Sequence, residues 1–272
     1  MMNLSQLVIY PIKSTSQISL TSAQISPFGL ELDRRWMLVD TNGFMLTQRV
    51  LPRMCLITSI IRDSQLIINA PNMSEMTISI QNGKKNALTP VIKATVWKDT
   101  CSADDCGDEV AKWFSDFLNT PARLVHFPEE EVRQVDETYA NKGDVTAFSD
   151  GFPYLLIGQS SLDDLNSRLI LNSHSPVKME RFRPNLVISG AEAFAEDRWK
   201  KIRIGDVIFN LVKPCSRCPI PNINPQTAEK SPEVINALAA YRKRDNKIFF
   251  GQNLLAKGSG SLTVGMPVEI LE

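Results

Sequence analysis

A chain of 272 residues with 43% apolar and 22% charged content can bury one large core or two modest ones. Its 30 basic and 30 acidic residues cancel, so no overall field draws nucleic acid or an anionic membrane, and any bound anion must be caught by a local cluster. No stretch approaches the ~20 apolar residues of a membrane span, Met1 to Leu7 lacks the basic flank and apolar core of a signal peptide, and five cysteines, an odd number, suit a reducing compartment; the expected location is the cytoplasm.

Along the first third, short β-rich runs are predicted over Leu4 to Tyr10, Trp36 to Asp40 and Gln65 to Asn69. Asn42-Gly43 and Asn82-Gly83 punctuate them as hairpin turns, and this part reads as an all-β barrel or sandwich. Near residue 100 the pattern changes. Asp104 to Asn119 is predicted helical, with Val110, Trp113, Phe114 and Phe117 on one face and acidic residues at its start. A second helix is signalled over Ser160 to Arg168, with Ser161 as its cap and Leu162 and Leu165 facing inward. Strands follow over Asn185 to Ser189 and Val207 to Val212, then a helix over Glu233 to Arg242, then strands over Ser261 to Val264 and Val268 to Leu271. There is no internal repeat and no low-complexity tract. The expected fold class is mainly β (α+β), in two β-dominated units over residues 1–100 and 101–272 with a few covering helices.

The chemistry-bearing stretch is Lys213-Pro214-Cys215-Ser216-Arg217-Cys218-Pro219-Ile220-Pro221. In a thioredoxin-like motif the second thiol opens a helix whose dipole lowers its pKa, but Pro221, Asn222 and Asn224-Pro225 deny such a helix its length. The pair is therefore expected in a rigid, extended loop after the strand Val207 to Val212. Cys215 and Cys218 could join Cys101 and Cys106 in a four-thiolate zinc site, although C-x4-C is a loose spacing and the pairs are far apart; a purely structural loop is the other bland reading. An iron–sulfur centre is excluded, because Cys106 has no partner three residues on. The second constellation is cationic: Lys13 after Tyr10-Pro11-Ile12, Arg34 and Arg35 after Leu32-Asp33, and Arg181 and Arg183 around Phe182. Each lies beside a predicted strand end, where such residues either converge on one anion or serve as ordinary edge charges.

These residues also carry a resemblance. Tyr10-Pro11-Ile12-Lys13-Ser14, the run Gly29-Leu30-Glu31-Leu32-Asp33-Arg34-Arg35-Trp36 and Thr47-Gln48-Arg49 resemble the N-terminal β-barrel domain of the MOSC superfamily. Arg181-Phe182-Arg183-Pro184-Asn185-Leu186-Val187-Ile188, Glu196-Asp197-Arg198-Trp199, Ile204-Gly205-Asp206, Cys215-Ser216-Arg217-Cys218 and Phe250-Gly251-Gln252-Asn253 are similar to the MOSC domain itself, in the subgroup of amidoxime-reducing and YcbX-type proteins. The fold implied is an N-terminal β-barrel domain packed on a MOSC β-barrel domain.

The resemblance implies a molybdenum cofactor (molybdopterin), with Cys218 as the metal ligand and catalytic residue and with Lys13, Arg34 and Arg183 on its terminal phosphate. It places Asn185, Ser216, Arg217 and Asn253 in contact with the cofactor, backbone near Gly151 and Phe152 beside it, and Arg49 near the site. The implied activity is reduction of small N-hydroxylated compounds. No flavin motif, haem ligand pair or iron–sulfur set is read from the sequence, and the ferredoxin domain often carried by YcbX-type proteins has no counterpart before Glu272, so electrons are expected from a separate ferredoxin- or cytochrome-type carrier and its reductase. A monomer is expected, with neither nucleic acid nor membrane as partner. A non-catalytic molybdenum cofactor carrier or sulfur-handling protein is the alternative, and a thiol or zinc module the third reading. Asn224-Pro225, Pro219 and Pro221 depart from the family pattern around the thiols.

Overall fold

Leu186-Val187-Ile188 forms a strand buried on both faces, as a continuous apolar run requires. In the computed structural model, which describes residues 1–80 and 90–272, this strand lies within a nine-stranded sheet of the described residues. The order across the sheet is Val268–Ile270, Lys201–Ile204, Val207–Ser216, Lys247–Lys257, Tyr154–Gly158, Leu186–Ser189, Asn3–Ile9 and Ile18–Leu20, with Lys243–Arg244 paired to Lys247–Lys257. Asn3–Ile9 runs antiparallel to Leu186–Ser189, with Leu7 opposite Leu186, so the N-terminus of the chain is built into the same sheet as its last third. The pair Tyr154–Gly158 and Leu186–Ser189 is parallel, and the helix Gln159–Leu171 makes the crossover such a pair demands.

A four-stranded sheet, Trp36–Val39, Arg123–His126, Asp99–Asp105 and Val91–Val96, joins strands from both sides of residue 100. Against it and the three-stranded meander Thr58–Arg62, Gln65–Asn69, Met76–Ser79 pack Val110, Trp113, Phe114 and Phe117 of the helix Asp108–Leu118. A second three-stranded sheet joins Ser261–Thr263, Ser22–Ser26 and Gly29–Leu30. The class is mainly β with covering helices, as the sequence indicates. No helix among the described residues is long and apolar enough to cross a membrane. The Asn82-Gly83 turn lies outside the described residues.

Three local expectations are corrected. The first helix begins at Asp108 rather than Asp104, because Asp99–Asp105 is a strand bonded on both sides and Gly107, at φ +96°, breaks the chain direction before the helix starts. Ser161 does not cap the second helix. It lies inside Gln159–Leu171, and its Oγ donates to the buried Glu196 carboxylate at 2.7 Å while accepting the Phe194 N–H at 2.8 Å. Cys215 and Ser216 do not lie in a loop after the strand: Val207–Ser216 continues through both. Its partner Lys247–Lys257 is long enough to hold them, and two irregularities in register, between Leu211 and Lys213 and between Pro214 and Ser216, absorb the proline that cannot donate to the ladder.

Gly251 is needed where that partner strand passes closest to Tyr154–Gly158. At φ +83°, a Cβ there would stand 2.7 Å from Ile157 Cγ1 and 2.8 Å from the Leu156 carbonyl oxygen. Gly251→Ala is therefore expected to destabilise the protein by about 2–4 kcal/mol, read as a lowered midpoint in denaturant unfolding, and an unchanged midpoint would show that the sheet yields there freely.

Candidate functional site

Three short connections deliver cations to one place. Ser14, Arg34 and Arg183 all have left-handed backbones, at φ 66°, 48° and 59°, a conformation that non-glycine residues adopt only when their surroundings impose it. The impositions are visible: the Arg34 N–H donates to Tyr10 O at 2.9 Å, the Gln48 amide donates to Ser14 O at 2.8 Å, and the Lys13 N–H donates to Trp36 O at 2.8 Å. The resulting cavity, of about 160 Å³, is lined by Lys13, Arg34, Arg49, Arg183 and Arg217 on its cationic side. The end of Val207–Ser216 and the turn after it add Ser216 and Cys218, Lys247–Lys257 adds Asn253, and Gly151, Phe152 and Asn185 complete the set. The structure thus brings together, around one cavity, all eleven site residues named from the sequence.

Five cations face a single carboxylate there. Asp150 receives Lys13 Nζ on one oxygen and Arg49 Nη2, at 3.0 Å, on the other. Burial acts to raise the Asp150 pKa, but the two cations outweigh it and hold the carboxyl well below its usual range. Lys13 also donates to Phe148 O at 2.7 Å, and burial pulls its pKa from 10.5 down to about 8 against the opposing pull of Asp150. Arg183 is drawn down to about 10 by burial and remains cationic at neutral pH. Its guanidinium and that of Arg34 lie 4.1 and 4.4 Å from the centroid of the Tyr10 ring. Arg34 is further fixed by Asp33 and by Asn185 Oδ1 at 2.9 Å.

Two donors stand idle. Arg49 Nη1 and Arg217 Nε are buried with no hydrogen-bond partner, which a structure tolerates when something else is meant to accept from them. Arg217 is otherwise committed, to Phe182 O at 2.8 Å and to Cys215 Sγ at 3.2 Å. Arg49 stacks on the exposed Trp97 ring at 4.5 Å, and burial, which lowers its pKa, is overcome by Asp150 and then by the Cys218 sulfur. Gly151 has nothing within 4 Å of where a side chain would begin, so the cavity is open on its flank.

The remaining candidates separate. Arg35 turns away to Phe127 O, Glu129 and the Phe28 ring, and Arg181 lines a neighbouring cavity. Cys101 lies in the strand Asp99–Asp105, and burial raises its thiol pKa and pushes that of Cys106 up to about 12. Both are inert apolar fillers. Among the described residues no group of three or more His, Cys, Asp and Glu side chains is placed to hold a metal, so the four-thiolate zinc reading fails. Reading the sequence missed Asp150, whose only signal was its place before Gly151-Phe152, and it missed Phe182 and Ser14 in the wall.

Comparison with known proteins now finds the family. The MOSC N-terminal beta barrel domain matches residues 1–121 and the MOSC domain matches residues 143–269. The chain is 35% identical to human mitochondrial amidoxime-reducing component 1, over 98% of this chain and 82% of that protein, and 36% identical to the rat component 2, over 97% and 82%. It is 30% identical to human molybdenum cofactor sulfurase over 92% of its own length, but spans only 30% of that protein.

The electrostatics predict a pH signature. An anion beside Lys13 favours its charged form, so binding takes up a proton wherever Lys13 is partly deprotonated, and affinity falls as pH rises through about 8. Sulfate, which does not titrate in this range, should bind several-fold more weakly at about pH 9.5 than at about pH 7 in calorimetry at constant ionic strength. Lys13→Met should abolish that dependence; a flat profile in the unsubstituted protein would remove Lys13 from the cavity's charge.

Proposed function

The chain belongs to the MOSC family, in the group that joins a MOSC N-terminal barrel to a MOSC domain and includes the amidoxime-reducing components, and we propose that it is a molybdenum-cofactor-dependent oxidoreductase that removes oxygen from small N-hydroxylated compounds. The observation that carries this reading is the cavity itself: a half-buried free thiol, Cys218, facing five cations that have one lining carboxylate between them. The donor set fits the group. Lys13, Arg34 and Arg183 would hold the terminal phosphate, Cys218 would supply the thiolate to the metal, and Arg49 and Arg217 carry the unused buried donors that an anionic, acceptor-rich ligand would satisfy. Ser216, Asn253, Gly151 and Phe152 would border the pterin. Asn185 uses its amide on Arg34, Leu155 and Val8, so its part is to hold Arg34 in place.

When bound, the cofactor supplies the two-electron chemistry. Turning an N–OH group into N–H and water consumes two electrons and two protons. The protein's share is to bind the anion, to keep Asp150 ionised between Lys13 and Arg49, and to hold Cys218 in the turn just past the strand end. The electrons come from a separate ferredoxin- or cytochrome-type carrier and its reductase. The five cysteines are all unpaired, which favours a reducing compartment. The similarity to a molybdenum cofactor sulfurase over most of the chain favours one second reading, a cofactor carrier or sulfur-handling protein.

Turnover of a hydroxylaminopurine separates the two. Cofactor-loaded protein should be inert with NADPH alone and active once a small one-electron carrier and its reductase are added. Cys218→Ser should lower that rate at least about a hundredfold, whereas Cys215→Ser should keep most of it. Cofactor binding without turnover under any carrier would favour the carrier reading, and exchanged effects of the two substitutions would move the metal ligand to Cys215.

A further inference from the structure

Arg183 lines two cavities. Beyond the one already described lies a larger cavity of about 440 Å³, with Arg183 and Tyr10 in its wall and Arg181 beside them. It is formed between Ser16, Gln48 and Cys55 on the N-terminal side and the segment after Cys218 on the other. Arg181 donates to Pro221 O at 3.2 Å and Arg183 to Thr15 O at 2.6 Å, and among the described residues neither guanidinium forms an ion pair with a carboxylate. Burial lowers the pKa of both, outweighing the opposing pull of Glu233 and Glu180 on Arg181 and of Tyr10, Asp33 and Asp150 on Arg183. Glu180 is the one carboxylate in this wall, and it accepts from Gln226, so the lining keeps one net positive charge. Leu56, Ile220, Ile223 and Pro71 supply an apolar surface beside it.

We propose that this cavity is a second binding site, for a small molecule that carries a single carboxylate on an apolar body, with the carboxylate on Arg181 and Arg183 and the body against Leu56, Ile220 and Ile223. The planar forks of two guanidiniums suit a carboxylate, and a monoanion neutralises the wall where a dianion would leave excess negative charge beside Glu180. The volume is that of a site for a small organic molecule. Because an anion on either side of Arg183 draws on the same charge, filling one cavity weakens the other. That coupling rests on the proposed function of the first cavity; the site itself does not.

Benzoate is the probe and benzamide its neutral counterpart, each titrated into the purified protein at fixed ionic strength and followed by calorimetry and by broadening of the ligand proton resonances. Benzoate should saturate, with benzamide at least about tenfold weaker. Arg181→Gln should weaken benzoate about tenfold, and Glu180→Gln should strengthen it by removing the opposing charge. Thr58→Trp, at an exposed strand position on the cavity's edge, should block binding while leaving both arginines intact. Sulfate should raise the benzoate Kd more than chloride does at equal ionic strength, and Lys13→Met should remove that excess. Equal binding of benzamide, or benzoate binding unchanged in both Arg181→Gln and Thr58→Trp, overturns the site. The readout is binding, so loss of the reductase reading would leave this site standing, and failure of the site would leave the reductase reading untouched.

Discussion

Asn185 is the joint on which both the sheet and the cavity depend. It is 1% exposed, and every polar group it owns is used. Its backbone N–H donates to Leu155 O at 2.8 Å and its carbonyl accepts the Val8 N–H at 2.9 Å. Its side-chain amide donates to Val8 O at 3.1 Å and accepts from the Leu155 N–H at 3.2 Å and from Arg34 at 2.9 Å. One side chain therefore ties the N-terminal strand to two strands of the MOSC region and sets the angle of a cavity arginine. An apolar residue of the same size would strand the buried Val8 carbonyl at about 1–3 kcal/mol and also remove the part-buried bonds to the Leu155 N–H and Arg34, so the same bonds hold fold and site.

The cations reach the cavity from turns rather than from strand interiors, and that has a conformational reason. Side chains of a strand alternate between faces, so adjacent residues cannot both reach one point. Left-handed positions at Ser14, Arg34 and Arg183 break the alternation and let Lys13, Arg34 and Arg183 converge. Such positions cost of order 1 kcal/mol each, and the surrounding hydrogen bonds hold them. Asp33, 3% exposed, contributes twice, accepting the Tyr10 N–H at 2.8 Å and pairing with Arg34. Tyr10 then offers its ring to two arginines, where the negative π-face offsets part of their mutual repulsion.

Local pattern in the sequence reached far into this arrangement and stopped at recognisable points. Gln65–Asn69 and Glu233–Arg242 match their predicted bounds because each carries its own signal, a short apolar run between polar ends in one and a stretch free of glycine and proline in the other. Lys247–Lys257, near the middle of the large sheet, carries none: Gly251 interrupts it and polar Gln252 and Asn253 sit in its centre. Those polar residues are there for tertiary reasons, Gln252 donating to Asp197 at 2.9 Å and Asn253 to Lys213 O at 3.2 Å. The same holds for Asp150, an aspartate among many until Lys13 and Arg49 close on it from distant parts of the chain. Spacing and proline chemistry single out the thiols, but the strand that carries Cys215 leaves no local signal, since only its partner's length shows that a proline can be accommodated there.

The balance of charge gives the cavity its character. The whole chain is formally neutral, while the cavity wall holds five cations against one lining carboxylate, so the rest of the molecule carries a matching negative excess. At a distance beyond roughly 10 Å in physiological salt an approaching anion meets neither field, and beyond that range nothing steers it. Only at the mouth does the low-dielectric wall let Lys13 and the arginines act at strength. A uniformly basic protein would gather polyanions over its whole surface. A neutral chain with a local cationic cavity confines that attraction to the mouth of the cavity, so size and shape act before charge does.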